Sequence, residues 1–233
     1  MRKKNLGVFL NSEDFATIEE LMACYELEGI TTNHGMIANL GNVDFPQYLR
    51  DMRKLIGDKA FLTQVTSSDP GKMLEEAELI RKYGGDNTFV KFPCSKEGFR
   101  AMRIFTGHGG EAVGTLCFSV IQGVFALLAG ASYVAPFYSP MNDAGTDGLA
   151  VIRQLSVFIK RSGCKGSILS AGCRTSVEMG DIYEAGGDAV TVNPEFFKEE
   201  LAPGLDKYQN KFASSWTAAH PNGATLLDLV KVP

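Results

Sequence analysis

The sequence predicts a single (β/α)8 barrel, or TIM barrel, followed by one additional C-terminal helix. Two observations predict this fold class. Short apolar runs alternate with amphipathic helical patterns eight times in about 200 residues, and no linker or low-complexity segment interrupts them. An open, doubly wound sheet is the competing architecture, but it usually has fewer strands and a glycine-rich phosphate fingerprint. The nearest match to that fingerprint, Gly107–Gly110, precedes a strand instead of following one.

The eight strands are predicted from short apolar or β-branched runs that are bounded by polar turn residues. They are placed at Leu6–Leu10, Gly29–Asn33, Ala60–Val65, Thr88–Pro93, Ala112–Phe118, Tyr133–Phe137, Ser167–Ala171 and Ala189–Asn193. The helices between them are predicted from apolar residues three or four apart and from capping residues or proline at their starts. They are placed near 14–25, 36–40, 46–56, 70–83, 96–105, 119–128, 149–160, 176–185 and 194–201.

A last helix is predicted over 205–219, after the eight repeats are complete. Phe212 and Trp216 lie four residues apart and share one helix face, which Tyr208 extends. Because eight helices already surround the barrel, this aromatic stripe needs another surface, either on a neighbouring subunit or on the same barrel. We therefore expect a barrel over 1–203, with 204–233 forming the C-terminal helix and tail.

Composition and charge exclude several classes of function. The chain is 45% hydrophobic and 21% charged with a net charge of −4, which does not favour binding to nucleic acid or to a membrane surface. No apolar run reaches the ~18 residues that span a bilayer, and the run after the basic start is too short for a signal peptide. We expect a cytoplasmic protein. The five cysteines and three histidines have no metal-ligand spacing, so neither a metal nor another cofactor is expected.

The most informative single residue is Lys91, which lies inside the apolar strand Thr88–Pro93. Burial disfavours the charged ammonium and lowers the pKa of a lysine, by ~3–5 units when burial is complete. A neutral amine is a nucleophile for carbonyl carbons, which is the first step of Schiff-base catalysis. The alternative is a lysine whose stem is covered while its head reaches water. The strand alone favours a lysine whose head reaches water. The residues at the other strand ends, however, favour a buried and nucleophilic amine.

In a (β/α)8 barrel the active groups collect at the C-terminal ends of the strands. Here these ends are mostly polar and uncharged, around one lysine. They are Asn11, Thr32, Asn33, Gln64, Lys91, Thr115, Phe137, the turn 172–174 and Asn193. Hydroxyl and amide groups suit carbinolamine chemistry, in which water must be released and added back. The scarcity of carboxylates disfavours metal-dependent and phosphoryl-transfer chemistry.

Each of these polar residues also has a purely structural interpretation. Asn11 could cap the first helix, and Thr32 and Thr115 could be ordinary packed strand residues. Arg174 could be a solvated residue at a helix start, or it could bind an anionic group of the substrate. Gln64 is harder to explain by packing alone, because a buried amide without partners costs roughly 1–3 kcal/mol.

Three segments carry a resemblance to a known family: Ile30–Asn33, Phe89–Pro93 and Ala129–Phe137. They resemble the signatures of the small transaldolases, and the likeness runs in register from about Leu6 to Trp216. Within that family the chain is more similar to the fructose-6-phosphate aldolases, since transaldolases proper carry a glutamate where Gln64 stands.

The resemblance implies a Schiff base between Lys91 and a dihydroxyacetone-type ketone, and a carbon–carbon bond formed or cleaved with an aldehyde. It implies that Gln64 and Thr115 hold the catalytic water and that Asn33 contacts substrate hydroxyls. The expected substrate-binding residues are Asn11, Thr32, Asn33, Phe137 and Arg174. The expected partners are a ketose, an aldehyde and other copies of the chain, since the family forms pentamers or decamers in which the last helix packs on a neighbouring subunit.

The chain departs from the family pattern at two acid–base positions. Asn11 replaces an aspartate, and Phe137 replaces a tyrosine that serves as acid and base. Tyr138 is adjacent to Phe137, but neighbouring strand residues point to opposite faces. These departures leave open a second hypothesis, a catalytically impaired barrel that binds a sugar or a sugar phosphate.

The phosphate-binding groups of the family also change. An arginine is replaced by Pro140 and a serine by Gly172, while Arg174 keeps a basic position. We therefore expect a weaker preference for phosphorylated acceptors. A third hypothesis is a Schiff-base aldolase of the deoxyribose-phosphate type, which the absence of a second lysine near the nucleophile disfavours.

Overall fold

A computed structural model of the chain describes residues 6–201 and 204–229. The basic start, the predicted boundary at residue 203 and the end of the tail lie outside these residues. The chain forms two compact units that divide after Pro194. The first unit contains a closed barrel of eight parallel strands in sequence order, with the first strand paired to the last. The predicted (β/α)8 barrel is confirmed.

The strands agree with the predicted ones to within two residues at each end. They are β1 (Gly7–Asn11), β2 (Gly29–Thr31), β3 (Ala60–Gln64), β4 (Thr88–Pro93), β5 (Ala112–Cys117), β6 (Tyr133–Pro136), β7 (Ser167–Ser170) and β8 (Ala189–Val192). The helices of the first unit are α1 (Phe15–Cys24), α2 (His34–Asn39), α3 (Phe45–Ile56), α4 (Pro70–Gly84), α5 (Lys96–Gly107), α6 (Val120–Leu128), α7 (Tyr138–Asp143), α8 (Gly148–Ser162) and α9 (Ser176–Glu184).

Helix α7 is an element that the sequence analysis does not predict. It is only six residues long and has a proline, Pro140, at its third position. Proline is tolerated in a first helical turn because the amide hydrogen it lacks would have no partner there. Six residues are too few to show a helical period, so the sequence carries no clear signal for this helix.

The interior of the barrel below the strand ends is filled by apolar side chains. Tyr133 lies among them, with its ring edge-on to Phe9 at 5.9 Å and to Phe89 at 5.3 Å between ring centroids. The cluster consists of Phe9, Ala60, Leu62, Phe89, Val113, Ala135, Leu169 and Ala189. Since side chains two positions apart on a strand share a face, Phe89 places Lys91 directly above this layer. The lysine therefore has an apolar floor.

The second unit contains α10 (Pro194–Glu199), α11 (Leu205–Ala219) and a 3₁₀ turn at Leu226–Leu229. Helix α11 has the predicted bounds. Trp216 stacks on His220 at 4.2 Å between ring centroids and donates its indole N–H to the carbonyl of Ala224 at 2.7 Å. Tyr208 and Phe212 are 55% and 65% exposed. The predicted contact of this helix with a neighbouring subunit stays a prediction.

Within 6–201 and 204–229, no helix is long and apolar enough to cross a membrane. The same residues contain no group of three or more His, Cys, Asp or Glu side chains placed to hold a metal ion.

The packing of α5 against the end of β4 gives a test of the fold. Gly98 lies in the first turn of α5, where an added Cβ would come 1.9 Å from the carbonyl oxygen of Pro93. Gly98→Ala should lower the free energy of unfolding by about 1–3 kcal/mol, a fall in Tm of about 2–4 °C per kcal/mol. Gly107→Ala is the matched control, because its Cβ would meet nothing within 4 Å in the same helix. Equal melting temperatures for the two variants would contradict this packing.

Candidate active site

A cavity of about 240 Å³ opens at the C-terminal ends of the strands, and all eight strands or the turns that follow them contribute to its lining. Seven of the eight predicted site residues line it. They are Asn11, Asn33, Gln64, Lys91, Thr115, Phe137 and Arg174. The eighth, Thr32, is buried beside it. Barrel closure therefore brings together residues that are up to 163 positions apart, from Asn11 to Arg174.

Lys91 is the buried cation of this cavity, with only 8% of the residue exposed. Its Nζ donates to Oγ1 of Thr31 at 3.0 Å and to the carbonyl oxygen of Thr32 at 2.8 Å. Burial lowers the pKa of Lys91 from its ordinary value of 10.5 to about 8. Among the described residues that line the cavity, none carries a carboxylate that would oppose this effect. A useful fraction of the side chain is therefore neutral near pH 7.

Two polar side chains from the strands on either side of Lys91 face the same cavity. Gln64 on β3 is the register partner of Lys91, and Thr115 on β5 pairs with Pro93 at the end of β4. Both residues are buried, yet neither the Gln64 amide nor the Thr115 hydroxyl has a hydrogen-bond partner among the described residues. These groups are therefore available to a ligand or to water.

At the end of β2 the side chain that faces the cavity is that of Thr31 and not that of the predicted Thr32. Thr31 lines the cavity and accepts a hydrogen bond from Lys91. Thr32 is fully buried, and its hydroxyl donates to Oγ1 of Thr63 at 2.9 Å. Since strand β2 ends at Thr31, Thr32 contributes its backbone carbonyl to Lys91 and not its side chain.

Asparagine side chains occupy the cavity mouth at three strand ends. Asn11 donates from Nδ2 to Oδ1 of Asn193 at 2.8 Å, which joins β1 to the residue after β8. Asn11 does not cap α1, because the carboxylate of Asp14 accepts the Thr17 N–H there. Asn33 is a cap as well as a cavity residue: its Oδ1 accepts the N–H of Met36 in α2.

Arg174 is not free to attract an anion by itself. Its guanidinium donates two hydrogen bonds to the carboxylate of Asp143, at 2.6 and 3.1 Å. This pairing raises the pKa of Arg174 and lowers the pKa of Asp143. Asp143 lies in α7, the helix without a sequence signal, so sequence reasoning missed this partner.

The turn that carries Arg174 is held by Glu178 of α9. The Glu178 carboxylate accepts the backbone N–H groups of Arg174 at 2.6 Å and Thr175 at 3.3 Å, and it also accepts the hydroxyl of Ser139. Gly172 in the same turn has a φ of +78°, which favours glycine over any other residue. The loops after β6 and β7 are thus tied to each other.

Phe137 faces the cavity and Tyr138 does not. The Phe137 ring packs against Phe118 with 5.4 Å between ring centroids. Tyr138 lies against α8, close enough to Gly148 that an added Cβ there would come 2.8 Å from its ring. Burial raises the pKa of Tyr138. The tyrosine hydroxyl is therefore placed away from Lys91 and does not replace the group that Phe137 lacks.

Comparison with known proteins assigns the chain to a family. The family model described as Transaldolase/Fructose-6-phosphate aldolase matches residues 8–229. The chain belongs to this family. Its relatives include a probable fructose-6-phosphate aldolase of Streptococcus pneumoniae, 32% identical over 209 residues that cover 89% of this chain and 93% of that protein. Another is a probable transaldolase 2 of Listeria monocytogenes, 32% identical with 88% and 94% covered.

Solved structures add support for the fold of this transaldolase/fructose-6-phosphate aldolase family member. A structure described as "Native KDPGal structure" superposes with a TM-score of 0.57 over 80% of this chain and 82% of that chain. At 14% sequence identity, this likeness shows the fold alone. Family membership and the names of the relatives support an enzyme of the aldolase or transaldolase type.

The buried lysine gives a prediction about stability and pH. Lys91→Met should raise the free energy of unfolding at pH 7, because it removes the cost of burying an ammonium. The pKa values of 10.5 and about 8 differ by about 2.5, and each pKa unit corresponds to about 1.4 kcal/mol, so the gain is at most about 3 kcal/mol. The loss of the hydrogen bonds from Lys91 to Thr31 and Thr32 reduces this gain in the free energy of unfolding.

The sign of the pH dependence follows from proton binding. Below pH 8 the folded and unfolded wild-type chains both carry the proton, so the burial cost is fully present. Between about pH 8 and 10.5 the folded chain has lost the proton while the unfolded chain keeps it, so the wild type gains stability as pH rises. The advantage of Lys91→Met should therefore shrink over this range in urea titrations. Lys160→Met, at an exposed lysine of α8, is the control and should show no such trend.

Proposed function

We propose that the protein is a class I aldolase that forms a Schiff base through Lys91. Its donor is a dihydroxyacetone-type ketone, and it forms or cleaves a carbon–carbon bond with an aldehyde. The observation that carries this proposal is the environment of Lys91, which is buried in a cavity without carboxylates and has a pKa lowered to about 8. The free amide of Gln64 and the free hydroxyl of Thr115 beside it support the same chemistry.

The first half of the reaction is the condensation of the amine with the ketone. The neutral Nζ of Lys91 attacks the carbonyl carbon, and a proton passes from nitrogen to the former carbonyl oxygen to give a carbinolamine. This hydroxyl then takes up a proton from solvent water and leaves as water, and a protonated imine remains. Gln64 and Thr115 face this position, and we assign them to the water that leaves here and returns at the end.

The second half is the change in the carbon skeleton. The protonated imine withdraws the electron pair of the bond between the α and β carbons, and the β-hydroxyl loses its proton as the aldehyde leaves. The resulting enamine is protonated at the α carbon in an aldolase, or it attacks a second aldehyde in a transaldolase. Water then adds to the imine and frees Lys91.

The proton transfers need a group that accepts and donates protons, and few side chains of the cavity lining can do so. Neither Asn11 nor Phe137 can exchange a proton at neutral pH, and the lining residues carry no carboxylate. We assign the role to water held between Gln64 and Thr115. We assign the binding of the donor's hydroxyls to the amide groups of Asn11, Asn33 and Asn193, which line the cavity.

Borohydride trapping tests this function. After incubation with dihydroxyacetone or hydroxyacetone, reduction should leave an adduct on Lys91 that adds the mass of the ketone less one oxygen atom, as read by peptide mass spectrometry. The rate of trapping should increase with pH through about 8, because the neutral amine is the reacting form.

Matched variants separate the roles of the residues in the same assay. Gln64→Leu and Thr115→Val should slow turnover about 10²–10⁴-fold, whereas Gln47→Leu on the exposed side of α3 should leave it unchanged. If no small ketone adds to Lys91, the Schiff-base proposal is wrong. Thermal stabilisation by sugars without turnover would then favour the catalytically impaired sugar-binding barrel.

We also propose that α11 and the tail pack on a neighbouring subunit in a pentamer or decamer. The exposure of Tyr208 and Phe212, whose rings lie 6.4 Å apart on one face of α11, supports this. Phe212→Asp should lower the mass found by analytical ultracentrifugation to that of smaller species. Asn210→Asp, at an exposed position two residues away, is the control. An unchanged mass for Phe212→Asp would count against the packing.

A further inference from the structure

A second cavity, of about 170 Å³, lies between helices α2, α3 and α4 and the end of strand β3. Most of its wall is hydrocarbon, and polar groups lie at its edge. The apolar lining residues are Ile37, Phe45, Leu79 and Ile80. The polar ones are His34, Gln64, Thr66 and Glu76. None of the site residues predicted from the sequence, apart from Gln64, lines this cavity.

The second cavity is adjacent to the active site and shares one lining residue with it. Gln64 lines both cavities, and its register partner across β3 and β4 is Lys91. Asn33 lines the first cavity and the next residue, His34, lines the second. Both cavities therefore lie at the C-terminal end of the barrel, with Gln64 at the boundary between them.

The side chain at the boundary between the two cavities, Gln64, is not fixed by a hydrogen bond within the described residues. A change of its rotamer therefore breaks no hydrogen bond within this part of the chain. Helix α2, which covers one side of the second cavity, has no buried residue. A group that extends from the position above Lys91 into the second cavity has to pass Gln64.

The size of the second cavity fits one aromatic ring. An apolar protein cavity of about 150 Å³ stays dry and binds benzene. The cavity here has a similar volume and a similar lining of Leu, Ile and Phe side chains, but it is open to solvent at Leu79, which is 36% exposed. A phenyl group or a short branched alkyl group would therefore fill it.

The charges around the two cavities disfavour an anionic group. At the edge of the second cavity, the Glu76 carboxylate accepts the N–H of Thr66 at 2.6 Å, its hydroxyl at 2.8 Å and the N–H of Ser67 at 3.2 Å. This fixed negative charge repels phosphate or carboxylate. On the other side of the active site, Arg174 is already paired with Asp143. The charges thus favour a neutral substituent.

We propose that the second cavity binds the uncharged, apolar substituent of the acceptor aldehyde, an aryl or branched alkyl group of about phenyl size. The aldehyde carbon then lies over the enamine on Lys91, while the substituent passes Gln64. This proposal rests on the proposed Schiff-base function, because it names the acceptor of that reaction. It assigns Leu79 and Ile80 of α4 to substrate specificity.

Leu79→Trp tests the assignment by filling the cavity. It should lower kcat/KM for phenylacetaldehyde by about ten- to a hundred-fold, the worth of burying one aromatic group. The value for glycolaldehyde, which has no apolar substituent, should stay within about two-fold. Ile104→Trp is the matched control, because Ile104 on α5 is 37% exposed, as against 36% for Leu79, and lines neither cavity. Equal losses for the two aldehydes would overturn the proposal.

Leu79→Ala supplies a second variant should the tryptophan disturb folding. It enlarges the cavity, so the preference should move from phenylacetaldehyde to a naphthyl analogue. An unchanged preference would overturn the assignment as well.

A binding measurement separates this proposal from the Schiff-base chemistry. In the Lys91→Met protein, the unreactive probe 2-phenylethanol should give saturation-transfer NMR signals that Leu79→Trp abolishes and Ile104→Trp retains. That result supports the subsite even if no ketone is trapped on Lys91. Absence of the signals, or their persistence with Leu79→Trp, would overturn the subsite even if trapping succeeds.

Discussion

The desolvation of one ammonium group governs the chemistry of this barrel. Lys91 lies above an apolar layer that includes Phe89 and inside a closed ring of strands, and burial lowers its pKa to about 8. Its two hydrogen bonds, to Thr31 and to the carbonyl of Thr32, are to neutral oxygens and replace only part of its hydration. The same desolvation that costs stability makes the amine reactive, so stability and reactivity are opposed at this residue.

Two departures from the family pattern, Asn11 in place of an aspartate and Phe137 in place of a tyrosine, are consistent with the desolvation of Lys91. A carboxylate at the end of β1 would favour the charged form of Lys91, because an opposite charge nearby raises the pKa of a lysine. Asn11 keeps the hydrogen-bonding capacity of that position without the charge, and its bond to Asn193 joins the first strand to the last. Phe137 adds apolar surface at the same mouth. The cavity thus has polar groups to orient hydroxyls, and few groups that hold or release protons.

The acidic side chains beside the cavity are already bound within the loops after β6 and β7. Asp143 pairs with Arg174, and Glu178 binds the backbone of the same turn together with Ser139. These contacts shape the loops after β6 and β7 and leave little free positive charge for a phosphate. On the opposite side of the active site, the second cavity next to Gln64 offers an apolar surface. The electrostatics and the packing therefore point to the same class of substrate, a neutral one.

The sequence by itself determined the barrel, the strand that carries Lys91 and the polar strand ends, because these depend on local apolar periodicity and on the rule that parallel strands end at one edge. It could not determine which of Thr31 and Thr32 faces the cavity, since that depends on where β2 ends. Nor could it show that Asn11 binds Asn193, that Asp143 occupies Arg174, or that Gln64 separates two cavities. Those contacts join segments far apart in the chain and exist only once the strands have closed and the helices have packed around them.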